Sequence, residues 1–161
     1  MKVSIICVGK IKEKYFCQAI EEYTKRLSKY VKLNIIEVSD EKAPENLSRA
    51  DEEIVKHKEG ERILKNINNL NNEMVIGLCI DGKNLDSIGF AEFIQDKKNR
   101  GISHVYFIIG GSLGLSERVL KRLDFKLSFS SMTFPHQLMR VILLEQIYRV
   151  ERILKNEPYH K

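Results

Sequence analysis

Cysteine is scarce and scattered: Cys7, Cys17 and Cys79 are the three in a chain of 161 residues. None belongs to a CxxC pair and no histidine stands near them, so neither a disulfide framework nor a zinc or other metal site is expected. The chain reads as a reduced, cytoplasmic protein. Long apolar runs are missing too. The opening MKVSIICVGKIKEK carries an apolar stretch that stops at Gly9, too brief for a signal peptide, and nothing further on approaches a membrane-spanning length. There is no GxGxxG after the first apolar run and no Gly-Lys-Ser/Thr ending, which excludes the two common phosphate-binding loops. No cysteine or serine has a base within the same set of loops, so acyl transfer by a nucleophilic triad is not expected. Repeats, low-complexity segments and linkers are also absent, which leaves one domain, 1–161, long enough to bury most of its apolar surface.

What is present is positive charge and a regular alternation of elements. The net charge of +5 and a pI of about 9.0 favour polyanionic partners. Lys2 to Val8 is a β-branched run, followed by Glu13 to Tyr30 with Phe16, Ala19, Ile20, Tyr23 and Leu27 at helical spacing. Val31 to Val38 predicts a second strand. Ser48 to Asn68 predicts a charged helix whose start pairs Ser48 with Asp51. Met74 to Ile80, Val105 to Ile109 and Phe125 to Phe129 predict three more strands. The helices between and after them are Ser87 to Arg100, Ser116 to Leu123 and Pro135 to Lys155, the last with proline in its first turn. Five strand–helix units in succession predict an α/β fold, a parallel sheet with helices on both faces.

On the last helix Met139, Ile142, Leu143, Ile147, Val150, Ile153 and Leu154 share one broad apolar arc. Val141, Leu144 and Tyr148 fall outside it, among Arg140, Glu151 and Lys155. They are read either as amphipathic cover on an ordinary surface or as a second contact face for a homodimer. Ligands of open parallel sheets bind beyond the carboxyl ends of the strands. The loops there are Asp81-Gly82-Lys83-Asn84, Gly110-Gly111-Ser112-Leu113-Gly114, and Ser128 to Phe134. The glycine loop is open to two readings: a tight turn, or a bare backbone against which a flat ligand such as a nucleobase lies. His57 is expected in solvent, His104 opens a strand, His136 caps a helix or meets a ligand, and His160 lies in a terminal tail.

The segments VGKIKEKY, DEKAPEN, LCIDGK, FIIGGSLGL, LSFSSMTFPHQLMRVILLEQIYR and PYHK occur in this order over essentially the whole chain. Together they resemble the ribosomal RNA large subunit methyltransferase H family, SPOUT-class enzymes that methylate N3 of a pseudouridine in 23S ribosomal RNA within the assembled ribosome. The resemblance implies a carboxy-terminal trefoil knot, against the general rule that chains do not thread their own loops. It also implies a homodimer with S-adenosyl-L-methionine bound in the knot. Carried onto this chain, the cofactor site comprises Leu78, Gly110, Phe129, Ser130, Ser131, Met132, Thr133 and Phe134. Under that reading the candidates for catalysis are His160 and Tyr159, reaching a neighbouring subunit from the tail, and Arg140 as electrostatic stabiliser, with His136 behind them. Lys10, Lys12, Lys14 and Lys161 are the expected phosphate contacts.

Overall fold

A computed structural model describes residues 1–68 and 70–160; the expectation for Lys161 lies outside the described residues. The strands are β1 (Lys2–Val8), β2 (Lys32–Val38), β3 (Glu73–Asn84), β4 (His104–Ile109) and β5 (Phe125–Ser128). They form one sheet in the order β2-β1-β4-β3-β5, and every pairing is parallel. The helices are α1 (Lys14–Leu27), α2 (Arg49–Leu64), α3 (Ser87–Asn99), α4 (Glu117–Arg122) and α5 (His136–Leu154).

Alternation along the central strands sends side chains to both faces, as a sheet covered on both sides requires. Val3, Ile5 and Cys7 of β1, with Val105 and Phe107 of β4, pack in the core that includes Leu143, Leu144 and Ile147 of α5. Ile6, Val8, Tyr106 and Ile108 pack on the other face with Ile63 of α2 and Val119 of α4. Burial pushes the Cys7 thiol up to about 12, so it is an inert apolar filler at neutral pH. Helix starts follow their capping residues: Ser48 accepts from Asp51 N at 3.1 Å and Asp86 from Gly89 N at 2.7 Å.

The sector of α5 outside its apolar arc is mostly neither open surface nor a free second face. Leu144 is fully buried, and Tyr148, 8 % exposed, packs edge-on against Tyr30 at 5.9 Å between ring centroids, with Tyr23 at 6.3 Å. Tyr23 belongs to α1, which lies against α5 and covers this sector. Two of the charges interleaved with this sector are buried as well: Arg140 is 2 % exposed, and Glu151, 4 % exposed, accepts from Lys98 Nζ at 2.8 Å.

At the amino ends of the strands Ser4 Oγ lies 2.9 Å from His104 Nε2, and His104 Nδ1 lies 2.9 Å from Glu73 Oε1. Burial pushes the Glu73 carboxyl up, but hydrogen bonds from His104, Asn68 and Leu70 N outweigh it and hold it below the usual range. The order hydroxyl, imidazole, carboxylate is that of a nucleophilic triad, yet Ser4 is 1 % exposed. No substrate reaches it; the row satisfies buried polar groups between three strands.

β3 runs further than its apolar core predicts, because it rejoins β5 after an excursion. Leu127 pairs with Leu78 and again with Lys83, so Cys79 to Gly82 bulge outward between the two. Gly82 makes this possible: a Cβ there would stand 2.8 Å from the backbone carbons of Lys126 and Leu127.

Candidate functional site

The bulge of β3, the loop after β4 and the loop after β5 enclose a cavity of about 870 Å³ at the carboxyl ends of the strands. That is ample for a nucleoside-sized ligand. Leu78, Gly110, Phe129, Ser130, Met132, Thr133 and Phe134 all line it, together with Ile80, Leu115, His136 and Met139. Ser131 is exposed in the same loop and is not part of the wall.

The β5–α5 loop is held by its own hydroxyls. Ser128 Oγ lies 3.1 Å from both Ile80 O and Ser130 O, Met132 N donates to Ser130 Oγ at 3.0 Å, and Asn84 Nδ2 donates to Ser128 O at 3.2 Å. Two of the small hydroxyls are thus engaged in shaping the loop. Met132 is left 72 % exposed at its tip.

The glycine loop fits neither reading alone. A Cβ on Gly110 would meet Leu115 Cδ2 at 3.0 Å and Gly114 C at 3.1 Å, so it would press on the loop's opposite limb. A Cβ on Gly111 would stand 2.8 Å from Glu59 Oε2. Glu59, on α2, is 4 % exposed and accepts from Glu41 N at 3.0 Å through Oε1, while Oε2 has no hydrogen-bond partner among the described residues. Burial is the main cause that raises its carboxyl. Its place behind the glycine loop was invisible in a helix that reads as uniformly charged.

Arg140 does not line the cavity. Its Nη1 donates to Glu37 Oε1 at 2.6 Å, and its Nη2 to Gly9 O at 2.5 Å and Val8 O at 3.1 Å. It is a strut between the carboxyl end of β1 and the first turns of α5, and in the single chain no face of the guanidinium is open to a substrate. A sequence signal existed: Arg140 is the one charge within Gln137 to Leu144. His136 does line the cavity. Burial, then the neighbouring Arg140 charge, lowers its pKa, so the imidazole is neutral at pH 7, and its buried Nδ1 has no hydrogen-bond partner among the described residues.

The tail folds back along α5. Tyr159 OH donates to Glu145 Oε1 at 3.0 Å, Arg149 sits over the Tyr159 ring at 4.7 Å, and Arg149 Nη1 lies 3.3 Å from His160 Nδ1. Burial first, then the hydrogen bonds of Tyr23 and Glu145, raises the Tyr159 phenol, which therefore keeps its proton at neutral pH. Arginine only donates, so in this contact Nδ1 of His160 accepts, which leaves Nε2 as the nitrogen that bears the ring proton. Glu145 and Arg149 lie nine and thirteen residues beyond His136. Met139 is the last residue of α5 on the cavity wall, so at 1.5 Å per residue the tail meets α5 about 9 and 15 Å beyond the cavity. Within one chain these groups and the cavity do not meet.

The family model described as "Predicted SPOUT methyltransferase" matches residues 1–160. The chain belongs to the SPOUT methyltransferase family. Proteins named "Ribosomal RNA large subunit methyltransferase H" are similar to this SPOUT methyltransferase end to end. That of Alkaliphilus oremlandii is 63 % identical and that of Clostridium botulinum strain Kyoto 60 %, each over 161 residues and the whole of both chains. Among solved structures, a probable methylase family protein from Haemophilus influenzae aligns with 99 % of this chain and 70 % of its own. Its TM-score is 0.55 at 12 % identity, a likeness of fold.

Proposed function

We propose that this SPOUT methyltransferase moves a methyl group from S-adenosylmethionine to N3 of a pseudouridine in 23S ribosomal RNA. It acts as a homodimer on the assembled ribosome in the cytoplasm, with the whole chain as one domain. The observation that carries the reading is the end-to-end identity with ribosomal RNA large subunit methyltransferase H relatives. The cavity fits the donor: bare backbone at Gly110 and Gly111 for a nucleoside edge, and apolar walls from Leu78, Phe129 and Met132. Bound there, the donor supplies an electrophilic methyl on a sulfonium. A trefoil knot is part of the proposal. Residues 129–135 leave β5 at the sheet edge and pass the ends of β3 and β4 before α5 meets β1 through Arg140.

The residues of the chain then have distinct tasks. The loops hold donor and acceptor in near-attack geometry, the larger part of such a rate gain. The N3 proton would pass to solvent water, leaving an imide anion that protonated donors stabilise; its nitrogen would take the methyl group as the sulfur–methyl bond breaks, and the donor would leave as a neutral thioether. In this arrangement Tyr159 OH, His160 Nε2–H and Arg149 are donors. Half-buried Leu138, Val141, Ile142, Glu145 and Arg149 form a ridge along α5. Two copies crossing antiparallel at Val141 and Ile142 bring Glu145, with the tail packed on it, level with Leu138 of the partner subunit, beside its cavity. Arg140 serves as a positioning residue.

Labelled S-adenosylmethionine, the protein and ribosomes from cells lacking this methylation are expected to yield label at N3 of one pseudouridine in 23S RNA. Absence of transfer to ribosomes, or preferential transfer to free tRNA, refutes the reading. Gly110→Val is expected to weaken S-adenosylmethionine binding at least tenfold by calorimetry while the protein stays folded. Overpacking costs about 1–3 kcal/mol, and here it spreads the loop from Gly110 to Leu115. Unchanged affinity places the donor elsewhere.

A further inference from the structure

The segment that leaves β1 toward α1 sets three exposed lysines beside an exposed aromatic ring. Lys10, Lys12 and Lys14 alternate along it, all exposed, and among the described residues none of them forms an ion pair. Tyr15 follows at 64 % exposure, the one aromatic among the described exposed large hydrophobic residues. Its ring lies 4.5 Å from that of half-buried Phe16. The single carboxylate of the run, Glu13, is engaged by the backbone: Lys12 N donates to its Oε2 at 3.3 Å.

This segment is fixed, and it borders the cavity. Arg140 Nη2 holds Gly9 O at 2.5 Å, and Ile11 N donates to Glu37 Oε1 at 3.3 Å. A Cβ on Gly9 would stand 3.3 Å from His136 Cε1, and His136 is part of the cavity wall. A polymer with one residue in the cavity therefore lies across the lysines and Tyr15 with its neighbouring residues. The strut that closes β1 onto α5 also sets the spacing between the two.

We propose that Lys10, Lys12, Lys14 and Tyr15 form a docking platform for single-stranded RNA, the lysines on backbone phosphates and the Tyr15 ring stacked on an unpaired base near the target nucleotide. The proposal rests on an RNA acceptor and extends that reading to how the acceptor is gripped. Compact unpaired ammonium groups suit phosphates, and a lone exposed ring among cations suits a nucleobase, which offers a face whatever its identity. A second copy of the chain meeting this surface with its own equivalent would bury three ammonium groups from each side opposite no carboxylate but Glu13. A membrane would need several apolar side chains where only one ring stands.

The test uses the full chain with undermethylated ribosomes and with a single-stranded RNA carrying the target loop. Tyr15→Ala is expected to raise the KM for RNA about tenfold, the effect of losing one base stack, with kcat and S-adenosylmethionine affinity near wild type. Tyr15→Phe, which keeps the ring, is expected to behave as wild type. The triple change of Lys10, Lys12 and Lys14 to Gln is expected to lower the slope of log affinity against log salt by about 2. An unchanged KM in Tyr15→Ala, or an unchanged salt slope in the triple variant, overturns the platform. Loss of self-association in Tyr15→Ala, by sedimentation, also overturns it and makes the surface a subunit interface. A wild type that binds the RNA with these dependences but transfers no methyl keeps the platform and loses the proposed reaction. A wild type that binds no RNA removes both.

Discussion

Deleting Tyr159 to Lys161 is expected to reduce methyl transfer about 100-fold or more while S-adenosylmethionine binds as before. Among the described residues of the tail, neither Tyr159 nor His160 lines the cavity, so donor affinity is expected to hold. In the proposed reaction the tail supplies phenol and imidazole donors to the developing anion, the phenol exchanging its bond to Glu145 for one to the acceptor, and loss of one such donor costs about 10²- to 10³-fold in turnover. Tyr159→Phe isolates the phenol. It keeps the ring under Arg149 but loses the bond to Glu145.

The same deletion separates action within a chain from action between chains. At donor concentrations well below the weakened affinity of Gly110→Val, neither that variant nor the tail-deleted protein is expected to show more than a small fraction of wild-type turnover. Mixed and allowed to exchange subunits, they are expected to recover about a quarter of wild-type activity, because half the dimers are mixed and each holds one complete site. A mixture as inactive as its components shows that each tail serves its own cavity. A deletion that leaves turnover intact removes the tail from the chemistry altogether.

The second large effect is on stability. Arg140→Ala is expected to cost about 3 kcal/mol. It strands the buried carbonyls of Val8 and Gly9 and leaves space between β1 and α5. The side chain of Glu37 is 36 % exposed, so water can solvate its carboxylate and the loss falls at the low end for breaking an ion pair. For a chain of this length that predicts a melting temperature lower by about 6–12 °C. Arg140→Lys can satisfy one acceptor and is expected to lie between. A thermal midpoint within a degree of wild type shows that the strut is dispensable. A selective loss of turnover without destabilisation returns the guanidinium to the reaction.

Much of this was legible in the chain. Short β-branched runs gave four of the strands and the start of β3 within a residue, Ser48 gave the start of α2, and the loop positions gave the cavity, because apolar spacing is a local property; the four further residues of β3 depend on its second pairing with β5. Sheet order was not, since nothing in β5 states that it pairs with β3 beyond β4. The burial of Arg140 and Glu151 was not, since periodicity assigns a charge to solvent unless its partner is known; Glu37 and Lys98 lie far along the sequence. The triad-like row at Ser4, His104 and Glu73 depends on register across three strands. The candidate residues grouped by motif proved to lie in two places, a cavity at the start of α5 and a tail packed on its second half.

That spacing bears on how activity depends on dose. If a complete site forms only where two chains cross, the working species is the pair, and its abundance follows the square of the free chain concentration when chains are dilute. Dilution below the dimer dissociation constant then makes the initial rate fall quadratically, with no loss of fold and no loss of donor binding. A cell that halves its supply of this protein in that regime loses three quarters of the methylation rate.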